Sequence, residues 1–140
     1  MCYAVYLASD QPLPPIPWDA NARAFNVELP DTVDPAVRRT LHGRYIARAG
    51  SHTCCACGFN VDPGNADGDV ERATREARTA VAAFRTYLEM LLKDRPSVEV
   101  FVTWYGEEAR PVVNAGEVTP AWLDAHFVLP EQTRLIVRGS

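Results

Sequence analysis

Lysine is nearly missing from this chain. Lys93 is the only one among 14 basic residues, set against 18 acidic residues and a net charge of −4 over 140 positions. That balance excludes the basic surplus expected of a dedicated nucleic-acid or anionic-membrane binder. No apolar run approaches the ~18 residues of a membrane span. The start, Met1-Cys2-Tyr3-Ala4-Val5-Tyr6-Leu7-Ala8-Ser9-Asp10, has no basic stretch ahead of its apolar run, so it does not read as a secretory signal. There is no glycine-rich phosphate loop, no HExxH, no G-x-S-x-G and no internal repeat. The expectation is one cytoplasmic domain spanning 1–140, with neither nucleic acid nor membrane as partner. A homodimer and a small-molecule or protein partner stay open.

Hydrophobic residues make up 47% of the chain, enough for a core at this length. The run 2–8, CYAVYLA, reads as a buried strand. Four prolines fall within positions 12–17, which excludes helix and central strand there. Leu13, Ile16 and Trp18 nonetheless predict an ordered arm over 11–20, packed on the body. Weak alternation in 24–29 suggests a second strand, and RYIARAG at 44–50 a third. Asp34-Pro35 opens a helix running to about His42, with Gly43 as a left-handed cap.

Val70, Ala73, Ala77, Val81, Phe84, Leu88 and Leu91 recur at spacings of three and four. They predict one long amphipathic helix over 69–94, capped by Asp67 and ended by Pro96. Its other face mixes Arg75, Arg78 and Arg85 with Glu71, Glu76 and Glu89, the mark of a solvated, ion-paired surface. The turns Pro63-Gly64 and Asp67-Gly68 lead into it. Strands at 97–105 and 133–138, with a short helix at 119–125 between them, complete the chain. The fold class is therefore α/β (α+β): a mixed sheet of four to five strands with the long helix on one face.

Chemistry concentrates in Gly50-Ser51-His52-Thr53-Cys54-Cys55-Ala56-Cys57-Gly58-Phe59. In a reducing compartment, clustered cysteines are metal ligands or reactive thiols more often than disulfides. Cys54 and Cys57 form C-x-x-C before a glycine, the spacing that lets two thiolates of a tight turn reach one tetrahedral metal. Cys55 and Cys57 form C-x-C. A second C-x-x-C is absent, so a four-cysteine ribbon is excluded. The ligands predicted for a zinc site are Cys2, His52, Cys55 and Cys57, with Cys54 as substitute, and the metal's expected role is structural. This set imposes a geometric demand. Strands 2–8 and 44–50 must lie antiparallel, because a parallel pair would leave the ligands roughly 20 Å apart.

Other readings compete. Cys55 or Cys57 could act as a nucleophile with His52 as base, with His42 or His126 as alternative bases oriented by Asp10 or Asp124. A redox C-x-x-C is disfavoured, since Gly58, Pro63, Gly64 and Gly68 separate the motif from the long helix. Loss of Met1 would expose Cys2 as in N-terminal-cysteine amidotransferases, but Tyr3-Ala4-Val5 does not match their small, glycine-led turn. The cysteines could instead be inert and buried, with the proline arm binding a partner. Glu107 and Glu108 after the 97–105 strand are expected to point apart. Trp18, Trp104, Trp122, Tyr105 and Phe127 could line a pocket, but spread over this many elements they are expected to serve core and rim packing.

Taken together, MCYAVYLASDQPLP, GSHTCCACGFN and VEVFVTWYGEE resemble a set of small, uncharacterised bacterial proteins. Their pattern reads M-C-Y-x-x-Y-L-x-S-D and S-H-T-x-C-x-C-G-F. The resemblance implies a bacterial α/β domain and brings no assigned activity. It places weight on Cys2, His52, Cys55 and Cys57 and makes Cys54 the extra residue, favouring C-x-C over C-x-x-C.

Overall fold

The computed structural model describes residues 2–19, 21, 24–60, 70–125 and 129–139. The predicted turns at Pro63-Gly64 and Asp67-Gly68, the Asp67 cap, position 69, His126 and Phe127 lie outside these residues. The apolar N-terminal run forms β1 (Tyr3–Ser9), buried on both faces, which is why its sequence does not alternate. The other elements are β2 (Phe25–Glu28), α1 (Pro35–Thr40), β3 (Tyr45–Ser51), α2 (Val70–Leu91), β4 (Ser97–Trp104), β5 (Asn114–Val118) and β6 (Thr133–Arg138). Short 3-10 segments occupy Ala56–Phe59 and Pro120–Ala125.

The strands form one mixed sheet in the order β2-β3-β1-β4-β6-β5, with β5 parallel to β6 and every other pair antiparallel. It has six strands, not four to five. The additional strand, Asn-Ala-Gly-Glu-Val, is almost wholly exposed and carries no apolar alternation. It is held by its ladder to β6 at the sheet edge, so sequence patterning had nothing to register.

Helix α2 covers one face. Phe84, Leu88 and Leu91 pack there with Val5, Leu7, Ala49, Val100 and Val102. Ala80 and Tyr87 are buried too, whereas Val70, at the helix start, is exposed. Arg72–Glu76 and Arg85–Glu89 pair along the solvent side, and Arg85 also meets Asp124. On the opposite face α1 covers a smaller cluster of Ala4, Tyr6, Ala8, Ile46 and Phe101 with Val37 and Leu41.

Asp34 caps α1 as expected, its Oδ1 accepting the Ala36 N–H at 2.8 Å. The other end differs from the prediction. The helix closes on an extended Leu41, not on a left-handed Gly43. Gly43 serves close approach: a Cβ there would stand 2.4 Å from the Ser9 backbone nitrogen.

The proline arm packs as an ordered segment. Ile16 and Val27 exchange backbone hydrogen bonds of 3.0 and 2.9 Å, and Leu13 is buried. Tyr87 donates its hydroxyl to the Pro14 carbonyl, and Arg95 reaches the Gln11 and Pro12 carbonyls. Among the described residues no helix is long and apolar enough to cross a membrane.

Candidate metal centre

The geometric demand on the two strands is met. β1 and β3 are adjacent and antiparallel, with Val5 opposite Ala49 and Ser9 opposite Tyr45. The start of β1 therefore meets the end of β3. There the Sγ atoms of Cys2, Cys55 and Cys57 all lie within 4.8 Å of one another.

Local hydrogen bonds build the loop that carries two of these sulfurs. The Ser51 N–H donates to the Cys55 carbonyl (2.9 Å), and the Cys54 N–H returns to the Ser51 carbonyl (3.0 Å). The Ser51 hydroxyl, on a fully buried residue, donates to the same Cys55 carbonyl at 2.7 Å. From β2, Asn26 donates through Nδ2 to the carbonyls of Ser51 and Cys54. Cys54 adopts φ 75°, a left-handed conformation that few side chains accept, and this lets the chain fold back so that Cys55 and Cys57 reach Cys2. Downstream, Phe59 is fully buried and stacks on Phe84 with ring centres 5.4 Å apart, pinning the loop to α2.

The three thiols differ in setting. Cys2 is exposed, while Cys55 and Cys57 are half-buried. The Tyr3 backbone N–H donates to Cys57 Sγ at 3.3 Å. Burial is the largest influence on both inner thiols. It pushes the Cys57 thiol up to about 12, reinforced by its contacts with Cys55 and Cys2 and opposed by the Tyr3 N–H. At Cys55 burial is outweighed by hydrogen bonds from Thr53, from the Cys57 backbone and from the Cys57 and Cys2 side chains. Its thiol therefore lies below the ordinary value. Of these two inner thiols, Cys55 gives up its proton before Cys57.

The other predicted ligands stand apart. His52 does not join the sulfur group; its Nε2 lies 3.0 Å from a Glu76 carboxylate oxygen on α2. Cys54, the substitute, is exposed and contributes its backbone carbonyl, not its sulfur, to the loop. As a base for Cys55 or Cys57, His52 would have to serve from its position beside Glu76. His42 sits beyond the far end of β3, its N–H on Glu99 and its ring near Arg134. Asp124 is engaged by Arg85. Nor are the cysteines buried small hydrophobes, since none of the four is fully covered.

Glu107 and Glu108 point apart. Glu107 pairs with Arg110, and the buried Glu108 accepts from the Gly106 N–H at 2.8 Å. Trp104 stacks on Tyr3 at 4.0 Å, Trp122 packs against the core, and Trp18 donates to the His52 carbonyl.

Beside the sulfurs lies a half-open, largely apolar cavity of about 540 Å³. Cys2 and Cys55 line it together with Glu28, Arg48 and Tyr105, and Arg48 stands three residues back along β3 from Ser51, whose N–H holds the Cys55 carbonyl. Arg48 donates to the Tyr105 hydroxyl at 2.7 Å and to Glu28 at 2.8 Å. Sequence reading singled out neither Asn26 nor Arg48, and took Tyr105 for packing. None of them belongs to a local motif, and strand pairing alone assembles them. No protein-family model, curated protein or solved structure matches this chain.

Proposed function

We propose that this protein holds one zinc ion on the thiolates of Cys2, Cys55 and Cys57, and that the metal ties the start of β1 to the loop after β3. The observation that carries the reading is the convergence of three sulfurs from two distant segments to within 4.8 Å. Bonds of about 2.3 Å to a tetrahedral zinc place ligand sulfurs about 3.8 Å apart, so side-chain rotation alone closes the set. Thiolate donors favour zinc or another soft metal over magnesium and calcium. Bound metal would also offset the burial, reinforced by the neighbouring thiols, that otherwise keeps Cys57 protonated, and the Tyr3 N–H supports charge on that sulfur.

Elemental analysis of the purified protein tests this directly. About one zinc per chain is expected. It should be lost in Cys57→Ser and kept in Cys54→Ser and His52→Ala. Substoichiometric metal, together with fast modification of all thiols, would overturn the proposal. That outcome would favour a second reading, thiol chemistry at Cys55, for which the depressed pKa of that thiol is the supporting observation.

A further inference from the structure

A tetrahedral zinc with three protein ligands keeps one position for an outside group. Among the described residues no fourth donor joins the three sulfurs. Two of the three cysteines, Cys2 and Cys55, line the cavity. We infer that this cavity takes a low-molecular-weight thiol bearing a carboxylate, its sulfur on the open metal position and its carboxylate on Arg48. The inference rests on the zinc reading above.

The cavity's two ends select the two ends of the ligand. A soft metal already held by thiolates favours a further sulfur donor. On binding, the ligand thiol releases its proton to solvent and the sulfur lone pair forms the metal bond. At the far end the Arg48 guanidinium is partly exposed and gives one N–H to Tyr105 and one to Glu28. Its planar fork carries further donors beyond these two. Glu28 already shows a carboxylate meeting this fork at 2.8 Å, and as a mostly exposed side chain it can yield its place.

The spacing is set by the sheet. Arg48 stands three residues before Ser51, whose N–H holds the Cys55 carbonyl, a separation of roughly 10 Å along the strand. Tyr105 spans the same gap. Its backbone N–H bonds the Cys2 carbonyl at 2.7 Å, and its hydroxyl reaches Arg48. Between the two ends Ala4 and the backbone of Ala49 and Gly50 line the cavity, leaving room for a short hydrocarbon body. Charge decides against a phosphate. Three thiolates on a divalent ion leave a net negative centre, and Glu28 adds to it, so a single carboxylate is repelled less than a dianion.

The test uses zinc-loaded full-length protein titrated calorimetrically with 6-mercaptohexanoate, 6-mercaptohexanol and hexanoate. Metal content is measured after each titration. The mercaptocarboxylate should bind at least about tenfold tighter than the alcohol, the margin of one charge-assisted hydrogen bond, and hexanoate should bind weakest. Arg48→Gln should erase the margin without changing metal content, and Arg48→Lys should restore part of it. In the cobalt-substituted protein the thiols should shift the sulfur-to-metal charge-transfer bands. Equal affinity of acid and alcohol, an unaffected Arg48→Gln, or zinc stripped by the ligand would each overturn the inference while the zinc centre stands. Absence of stoichiometric metal in the untreated protein would remove both.

Discussion

Replacing Gly50 by alanine should damage the candidate centre without touching a sulfur. Gly50 lies opposite Asn26 in the β2–β3 ladder. A Cβ at this position would stand 2.3 Å from the Cys54 carbonyl oxygen and 2.5 Å from Asn26 Nδ2. The first obstacle is backbone, so it cannot rotate away. Ordinary contact needs the Cys54 carbonyl to retreat by about 1 Å, and the Asn26 hydrogen bonds to Ser51 and Cys54 stretch with it. Overpacking of this kind costs about 1–3 kcal/mol, and each weakened hydrogen bond about 1 kcal/mol more. The expected loss is therefore about 3–5 kcal/mol, a fall of about 1.5–2.5 M in the urea midpoint at a slope of about 2 kcal/mol per M. Metal affinity should fall with it. Cys55 is the next residue along, and metal–ligand distances tolerate only about 0.2 Å. The assays are urea unfolding of metal-free protein and competitive zinc titration with a chelating dye. Gly116→Ala, where an added Cβ meets nothing within 4 Å, is the control. Unchanged midpoint and unchanged zinc affinity in Gly50→Ala would refute the claim that this contact sets the loop.

Other perturbations separate the site from the scaffold. In metal-free protein at neutral pH, iodoacetamide should label Cys55 well before Cys57, because the Cys55 thiol is depressed and the Cys57 thiol sits at about 12; peptide mass spectrometry gives the order, and reversed labelling would refute the assignment. Phe84→Ala should cost about 3–5 kcal/mol, since this fully buried ring stacks on both Phe25 and Phe59; calorimetric unfolding measures it, and a loss under about 1 kcal/mol would deny Phe59 its anchoring role.

Most of the scaffold was legible because its signals are local. The Asp34-Pro35 start, the period of α2 and the unbroken apolar run of β1 each follow from a few neighbouring side chains. Strand β5 was not legible, because an exposed edge strand needs no apolar pattern and owes its place to the ladder with Thr133–Arg138. The end of α1 misled for a related reason. A glycine after a helix usually marks a left-handed cap, yet Gly43 answers to Ser9, a residue far away in sequence.

The same division explains the candidate centre. Cysteine spacing and the antiparallel requirement were enough to bring Cys2 to Cys55 and Cys57, because register follows from pairing two buried strands. They were not enough to place His52. Its ring direction depends on Glu76, a residue of α2 that packs beside the loop only in three dimensions. The consequence is chemical. Four protein ligands would close a metal off, whereas three thiolates would leave a position free beside the cavity that Cys2 and Cys55 share with Arg48 and Tyr105. If the proposed zinc is bound, a His52 that stays with Glu76 would leave it with room for a ligand, where the sequence alone suggested a closed structural clamp.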